Sequence, residues 1–138
     1  MIINILAGGP EDLLPDLTEY LAEDAIWVGV DRGVYHLIKR NITPTIAFGD
    51  FDSVSTEELL FIEGRVTELK KFKPEKDETD MELALNWALS QNPRIIRLFG
   101  ATGGRLDHLF ANVHLLLKQF KEKSSVDLSL IDRKNIIF

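Results

Sequence analysis

Cysteine is absent from this 138-residue chain, which excludes a disulfide framework and any thiolate zinc site and fits a reducing compartment. A bound metal is left with oxygen and imidazole donors. Positive charge is scarce: 16 Lys and Arg stand against 22 Asp and Glu, a formal net charge of −6 with an isoelectric point near 5.0. An acidic surface does not broadly attract nucleic acid or anionic lipid, so neither is expected as a partner. Long apolar runs are missing too. Ile2–Ala7 and Leu115–Leu117 are far too short to span a bilayer, and no basic region precedes an apolar stretch at the N-terminus, so the chain reads as soluble and cytoplasmic. Neither a G-x-G-x-x-G fingerprint nor a G-x-x-x-x-G-K-[ST] loop occurs, which disfavours ordinary NAD enzymes and P-loop kinases.

What is present suffices for one core, with 45% of residues hydrophobic, in a chain of single-domain size. Short β-branched runs alternate with stretches of helical period, the pattern of βα units feeding a mostly parallel sheet. Strands are predicted over Ile2–Ala7, Ala25–Val30, Thr45–Gly49, Val66–Lys71, Ile95–Phe99 and Val126–Ile131. Three apolar stripes predict helices: Leu13, Leu14, Leu17, Tyr20 and Leu21; Met81, Ala84, Leu85, Ala88 and Leu89; and Leu106, Leu109, Phe110, Val113, Leu117 and Phe120. Shorter helices are expected at Gly33–Lys39 and Thr56–Ile62. No repeat, low-complexity tract or long Gly/Ser linker interrupts the pattern. Ser129 to Phe138 reads as a strand, a turn and the start of another strand, so the chain is expected to be a fragment of a longer protein.

In an open parallel sheet, ligands bind at the carboxyl ends of the strands. The polar residues follow that rule: Gly8-Gly9-Pro10 after the first strand, Asp31-Arg32-Gly33 after the second, Gly49-Asp50-Phe51-Asp52-Ser53 after the third, and Gly100 to Arg105 after the fifth. Gly8-Gly9 is read as a tight βα turn. Asp50 and Asp52, at i and i+2, point to one side of an extended segment and can share a hard divalent cation. Equally, either can be a turn residue or the N-cap of the following helix. Thr79 with Glu82 reads as a capping box, which leaves Asp77 and Asp80 clustered beside Lys76. A Mg²⁺ ion shared with Asp50 and Asp52 would supply their partner. Gly100-Ala101-Thr102-Gly103-Gly104-Arg105-Leu106-Asp107-His108 is the most specific stretch. A glycine-rich turn entering a helix aims backbone N–H groups at a phosphate, and Arg105 adds a planar donor. Of the three histidines, only His108 is a candidate; His36 and His114 read as surface or core positions.

These blocks, in this order and spacing, resemble the bacterial thiamine pyrophosphokinases, and the resemblance runs from Leu6-Ala7-Gly8-Gly9 to Asn112. It implies a Rossmann-like three-layer α/β catalytic domain with a mostly parallel sheet of about six strands. It also implies Mg²⁺-dependent transfer of the terminal diphosphate of ATP to the hydroxyl of thiamine with release of AMP, and a homodimer. Carried over by position, Asp50, Asp52 and Asp80 look like the metal-binding acids, with Asp77 as a helper. Thr102, Gly103, Gly104, Arg105, Asp107 and His108 look like the nucleotide-contacting loop and helix start, and Asp31 and Arg32 belong to the same rim. Asp80, Asp52 and Arg105 carry the catalytic expectation. The family has a C-terminal β-sandwich domain that helps form the thiamine pocket, so residues 1–132 are expected to be the nucleotide-binding domain and 133–138 the start of that second domain. Two rival readings are another small-alcohol kinase or nucleotidyltransferase on the same fold, and a non-catalytic nucleotide-binding regulatory module.

Overall fold

Every β-branched run marked in the sequence becomes a strand. A computed structural model of the chain describes residues 1–21, 24–49, 55–66, 68–71, 79–101, 114, 126–133 and 136–137. Within them lie β1 (Ile2–Leu6), β2 (Ala25–Val30), β3 (Ile46–Gly49), β4 (Glu68–Lys71), β5 (Ile95–Phe99), β6 (Asp127–Ile131) and β7 (Ile136–Ile137). Their order is β4-β3-β2-β1-β5-β6-β7. The first six pair in parallel, and the two-residue β7 runs antiparallel to β6. The expected mostly parallel α/β architecture therefore holds, with β7 as a short addition at one edge.

Helices α1 (Arg32–Lys39), α2 (Thr56–Glu63) and α3 (Asp80–Ser90) match the expected positions within a residue or two. The end of α1 is built by Asn41, whose φ of 60° allows a Schellman closure: Ile42 N–H donates to Leu37 O and Asn41 N–H to Ile38 O, both at 3.0 Å. The single helix expected across Leu13 to Leu21 does not form. Two 3-10 helices, Glu11–Leu13 and Leu17–Tyr20, stand in its place. Pro15 lies between them, and proline lacks the donor an α-helix needs while pushing its predecessor into extended conformation; Leu14 accordingly has φ −75° and ψ 139°. The apolar stripe is still used, since Leu14 and Leu17 are buried with Leu6, Trp27, Leu37 and Phe99. The helix expected over Leu106 to Phe120 lies outside the described residues except for His114, which is helical and exposed.

Alternation along the strands divides the core into two faces. Ile3 and Ile5 join Val28, Ile46, Phe48, Ile96, Leu98 and Leu130 against Met81, Ala84, Leu85 and Ala88 of α3. The opposite face carries the two 3-10 helices and α1, with Val34 and Ile38 of α1 packed on Ala47 and on Ile62 of α2. The result is a three-layer sandwich. From β1 the chain winds outward through β2, β3 and β4, whereas from β5 it winds the other way to β6. The strand order thus reverses between β1 and β5, and a crevice opens at the carboxyl ends of strands at such a switch point.

Candidate functional site

The switch point is tightly framed. Beyond the strands proper, Ala7 N–H donates to Phe99 O and Gly9 N–H to Gly100 O, each at 2.8 Å, so the turns after β1 and β5 leave the sheet side by side. A Cβ on Gly8 would lie 3.0 Å from Arg32 Cβ, which brings the Gly8-Gly9 turn against the first turn of α1. Gly8, Asp31, Arg32, Gly49 and Gly100 accordingly share one rim, as the strand-end rule anticipates.

Asp31 is the strained member of this rim. Its φ of 50° and ψ of −125° lie where side-chain-bearing residues are rare, at a cost on the order of 1–3 kcal/mol. Its backbone is held on both sides: the N–H donates to Phe48 O at 2.8 Å, and the carbonyl accepts from Val34 N–H at 3.1 Å. Its carboxylate rests on Gly49, where an added Cβ would fall 2.1 Å from Asp31 Oδ1. Gly49 itself has φ 144°, so both conformation and space require glycine there.

Arg32 donates to Glu58 Oε1 at 2.9 Å, and its guanidinium carbon lies 5.4 Å from the Tyr35 ring centroid. Glu58 belongs to a capping box at the start of α2. Its Oε1 accepts from Ser55 N–H at 3.0 Å, and Ser55 Oγ accepts from Glu58 N–H at 3.1 Å. The Ser55 backbone N–H, and then Arg32, hold the Glu58 carboxyl below the usual carboxylate range. The sequence reading missed Glu58, although Ser55-x-x-Glu58 is a legible capping signature. Ser55 is the N-cap of α2.

Asp80 opens α3. Thr79 is the N-cap, its hydroxyl accepting from Glu82 N–H at 3.1 Å, and Asp80 and Glu82 sit in the first turn where the helix dipole favours negative charge. Because α3 connects the carboxyl end of β4 to the amino end of β5, its N-terminus lies at the same edge of the sheet as Asp31. The described acids of this rim offer carboxylate oxygens and the chain has no thiolate, a donor chemistry that suits a hard divalent cation. Among the described residues there is no group of three or more His, Cys, Asp or Glu side chains able to hold a metal. Asp50, Asp52, Asp77, Thr102, Gly103, Gly104, Arg105, Asp107 and His108 lie outside the described residues. His36, by contrast, is a core histidine, 3% exposed, with Nδ1 3.2 Å from Glu11 Oε1. No described helix is long and apolar enough to cross a membrane.

Residues 17–128 match the family described as thiamin pyrophosphokinase, catalytic domain. The chain is 48% identical over 135 residues to a thiamine pyrophosphokinase from Bacillus subtilis, a match that takes in 98% of this chain and 62% of that protein. Among solved structures, it is similar to thiamine pyrophosphokinase from Bacillus subtilis, with a TM-score of 0.89, 45% identity, and coverage of 99% of this chain and 63% of the other. A thiamin pyrophosphokinase from Geobacillus thermodenitrificans gives a TM-score of 0.84 at 50% identity, covering 99% and 61%. The chain thus spans less than two thirds of the length of these relatives.

Proposed function

The chain belongs to the thiamin pyrophosphokinase catalytic-domain family, and from that premise we propose that it transfers diphosphate from ATP to thiamine, giving thiamine diphosphate and AMP. The observation that carries the proposal is the rim of Gly8, Asp31, Arg32, Gly49 and Gly100 at the switch point between β1 and β5, where a nucleotide binds in open α/β sheets. We assign ATP to the β5 side, with Thr102, Gly103, Gly104, Arg105, Asp107 and His108 forming a phosphate-facing loop and helix start, and Asp31 and Arg32 bordering it.

Diphosphoryl transfer asks little covalent chemistry of a protein. Catalysis comes from aligning the thiamine hydroxyl with the β-phosphorus and from meeting the negative charge that develops on the phosphate oxygens. Arg105 supplies a bidentate donor to those oxygens. Asp80 is the acid assigned beside the attacking hydroxyl, where it accepts the proton. Asp50, Asp52 and Asp80 would hold Mg²⁺, which when bound neutralises phosphate charge. Residues 1–132 form the nucleotide-binding unit in this reading and 133–138 open a second domain, although the two-residue β7 still pairs with β6 in the same sheet. The active protein is a cytoplasmic homodimer.

Incubation of the protein, together with the second domain that helps form the thiamine pocket, with thiamine, ATP and Mg²⁺ tests the reading through its products. AMP together with thiamine diphosphate is expected. ADP would point to a monophosphoryl kinase and free diphosphate to a nucleotidyltransferase. ATP binding with no consumption, even with that second domain present, would make the protein a regulatory module.

A further inference from the structure

Gly29-Val30-Asp31-Arg32-Gly33 places a carboxylate at the centre of a sharp strand-to-helix elbow. β2 ends at Val30 and α1 begins at Arg32, leaving Asp31 alone to make the turn at φ 50° and ψ −125°. The flanking glycines are sterically required. A Cβ on Gly29 would lie 2.6 Å from Val34 Cγ2, and one on Gly33 would lie 2.0 Å from Leu6 O. This is the arrangement of the G-x-S-x-G elbow, in which a strained residue between two small ones is thrust out at the carboxyl end of a sheet. In such elbows the central side chain is an exposed nucleophile. Here Asp31 Oδ1 is buried and pressed on Gly49, so an attacking role does not fit.

We infer that Asp31 is a positioning residue, whose carboxylate fixes the backbone at Gly49, the residue immediately before Asp50 in the sequence. Three observations converge on this. The Asp31 N–H bond to Phe48 O extends the β2–β3 ladder past the last register pair, Val30 with Phe48, and so ties the elbow to the end of β3. The carboxylate fills the space where any side chain at Gly49 would sit. Glycine would suit the elbow backbone better than Asp, yet a carboxylate occupies it, and strain of this kind persists where the side chain is needed. The metal-related consequence rests on the proposed role of Asp50 and Asp52.

Three variants separate the alternatives: Asp31→Ala, Asp31→Gly and Asp31→Asn, each titrated with Mn²⁺ alone by electron paramagnetic resonance of the free ion. Gly49 and Asp50 amide resonances are recorded in parallel, and unfolding temperatures are measured. Asp31→Ala and Asp31→Gly are expected to weaken Mn²⁺ binding roughly 10- to 100-fold, the range for loss of a group that orients a ligand. Both should shift the Gly49 and Asp50 amides. Asp31→Asn, nearly the same shape, should recover most of the affinity and both resonances. Asp31→Gly should unfold above Asp31→Ala, because both lack the carboxylate and only glycine is at ease in this conformation. Equal loss in Asp31→Asn and Asp31→Ala would mean that the charge acts directly on the ion, and it would overturn positioning. Wild-type affinity in Asp31→Ala, or an unfolding temperature for Asp31→Gly no higher than for Asp31→Ala, would overturn it as well. If the wild-type chain binds no Mn²⁺, the metal assignment fails and the amides decide alone. Resonances unmoved in Asp31→Ala and Asp31→Gly reject positioning, and resonances moved there but restored in Asp31→Asn support it.

Discussion

The Arg32 guanidinium donates to Glu58 Oε1 at 2.9 Å, and the same oxygen accepts the Ser55 backbone N–H at 3.0 Å. One carboxylate therefore anchors a rim arginine and closes the first turn of α2. Glu58→Ala should lower stability by about 1 kcal/mol, from loss of half the capping box and of a partly exposed ion pair. Released from its anchor, Arg32 should also raise the KM for ATP severalfold with little change in kcat. Urea unfolding and steady-state kinetics check the two effects, and an unchanged KM would leave Arg32 with a purely structural role.

Glu11 joins the first 3-10 helix to α1 through Lys39 Nζ at 2.8 Å, Arg40 Nη2 at 2.9 Å and His36 Nδ1 at 3.2 Å. Chiefly through its hydrogen bond from Lys39, its pKa falls from 4.5 to about 2. A carboxyl lowered on folding stabilises the protein above its unfolded pKa, and that contribution drains away as pH drops from about 4.5 to about 2. Burial likewise pushes His36 below its usual 6.5, against an opposing pull from Glu11, so neutral His36 favours the fold and its protonation below pH 6.5 erodes it. Unfolding temperature should thus fall in two stages on acidification. Glu11→Gln should flatten the lower stage and deepen the upper one, which still begins near pH 6.5 but reaches to more acidic pH, because the charge that favours imidazolium is gone. An unchanged profile would mean that solvent, with Glu11 38% exposed, screens these pairs entirely.

Asn4 is a polar residue in the centre of the sheet. It is 0% exposed, pairs in register with Trp27 and Arg97, and neither its Oδ1 nor its Nδ2 has a hydrogen-bond partner among the described residues. A buried amide without partners opposes folding by about 1–3 kcal/mol. Asn4→Leu, close in volume, should therefore raise stability by about 1 kcal/mol or more in urea unfolding. A loss instead would indicate that an internal water satisfies the amide.

The layers of this fold are legible because periodicity is a local signal. Ile3 and Ile5 alternate with Asn4 and Leu6 as a strand requires, and Leu37 and Ile38 sit one turn from Val34 as a helix requires. Pro15 shows the limit of reading periodicity alone, since the stripe from Leu13 to Leu21 buries its apolar residues as two short turns and its helical spacing survives without a helix. The rim was legible by a topological rule, which brings Gly8, Asp31 and Gly49 together from separate parts of the chain. What could not be read was contact: that Asp31 lies on Gly49, or that Glu58 holds Arg32, depends on which helix crosses which strand. The acids Asp50 and Asp52 and the loop from Thr102 to His108 lie outside the described residues, so those assignments rest on the sequence and the family.

Asp80 offers the clearest separation of catalysis from stability among the described residues. It is partly buried in the first turn of α3, where a negative charge interacts with the helix dipole by about 0.3–1 kcal/mol. Asp80→Asn keeps the shape and removes the charge, so its stability loss should stay within that range. If Asp80 serves the metal and the attacking hydroxyl, several kcal/mol of transition-state stabilisation depend on it, equivalent to a fall in kcat of roughly two to three orders of magnitude. Glu82→Gln is the matched control, since Glu82 occupies the same helical turn and has no assigned part in the reaction. It should reproduce the small stability change and leave turnover within about twofold. The pair is measured by thermal unfolding and by thiamine diphosphate formation across a Mg²⁺ series. A large loss in Asp80→Asn, partly relieved by high Mg²⁺, would place the charge at the ion. Equal and minor effects in the two variants would show Asp80 to be only a helix-start residue.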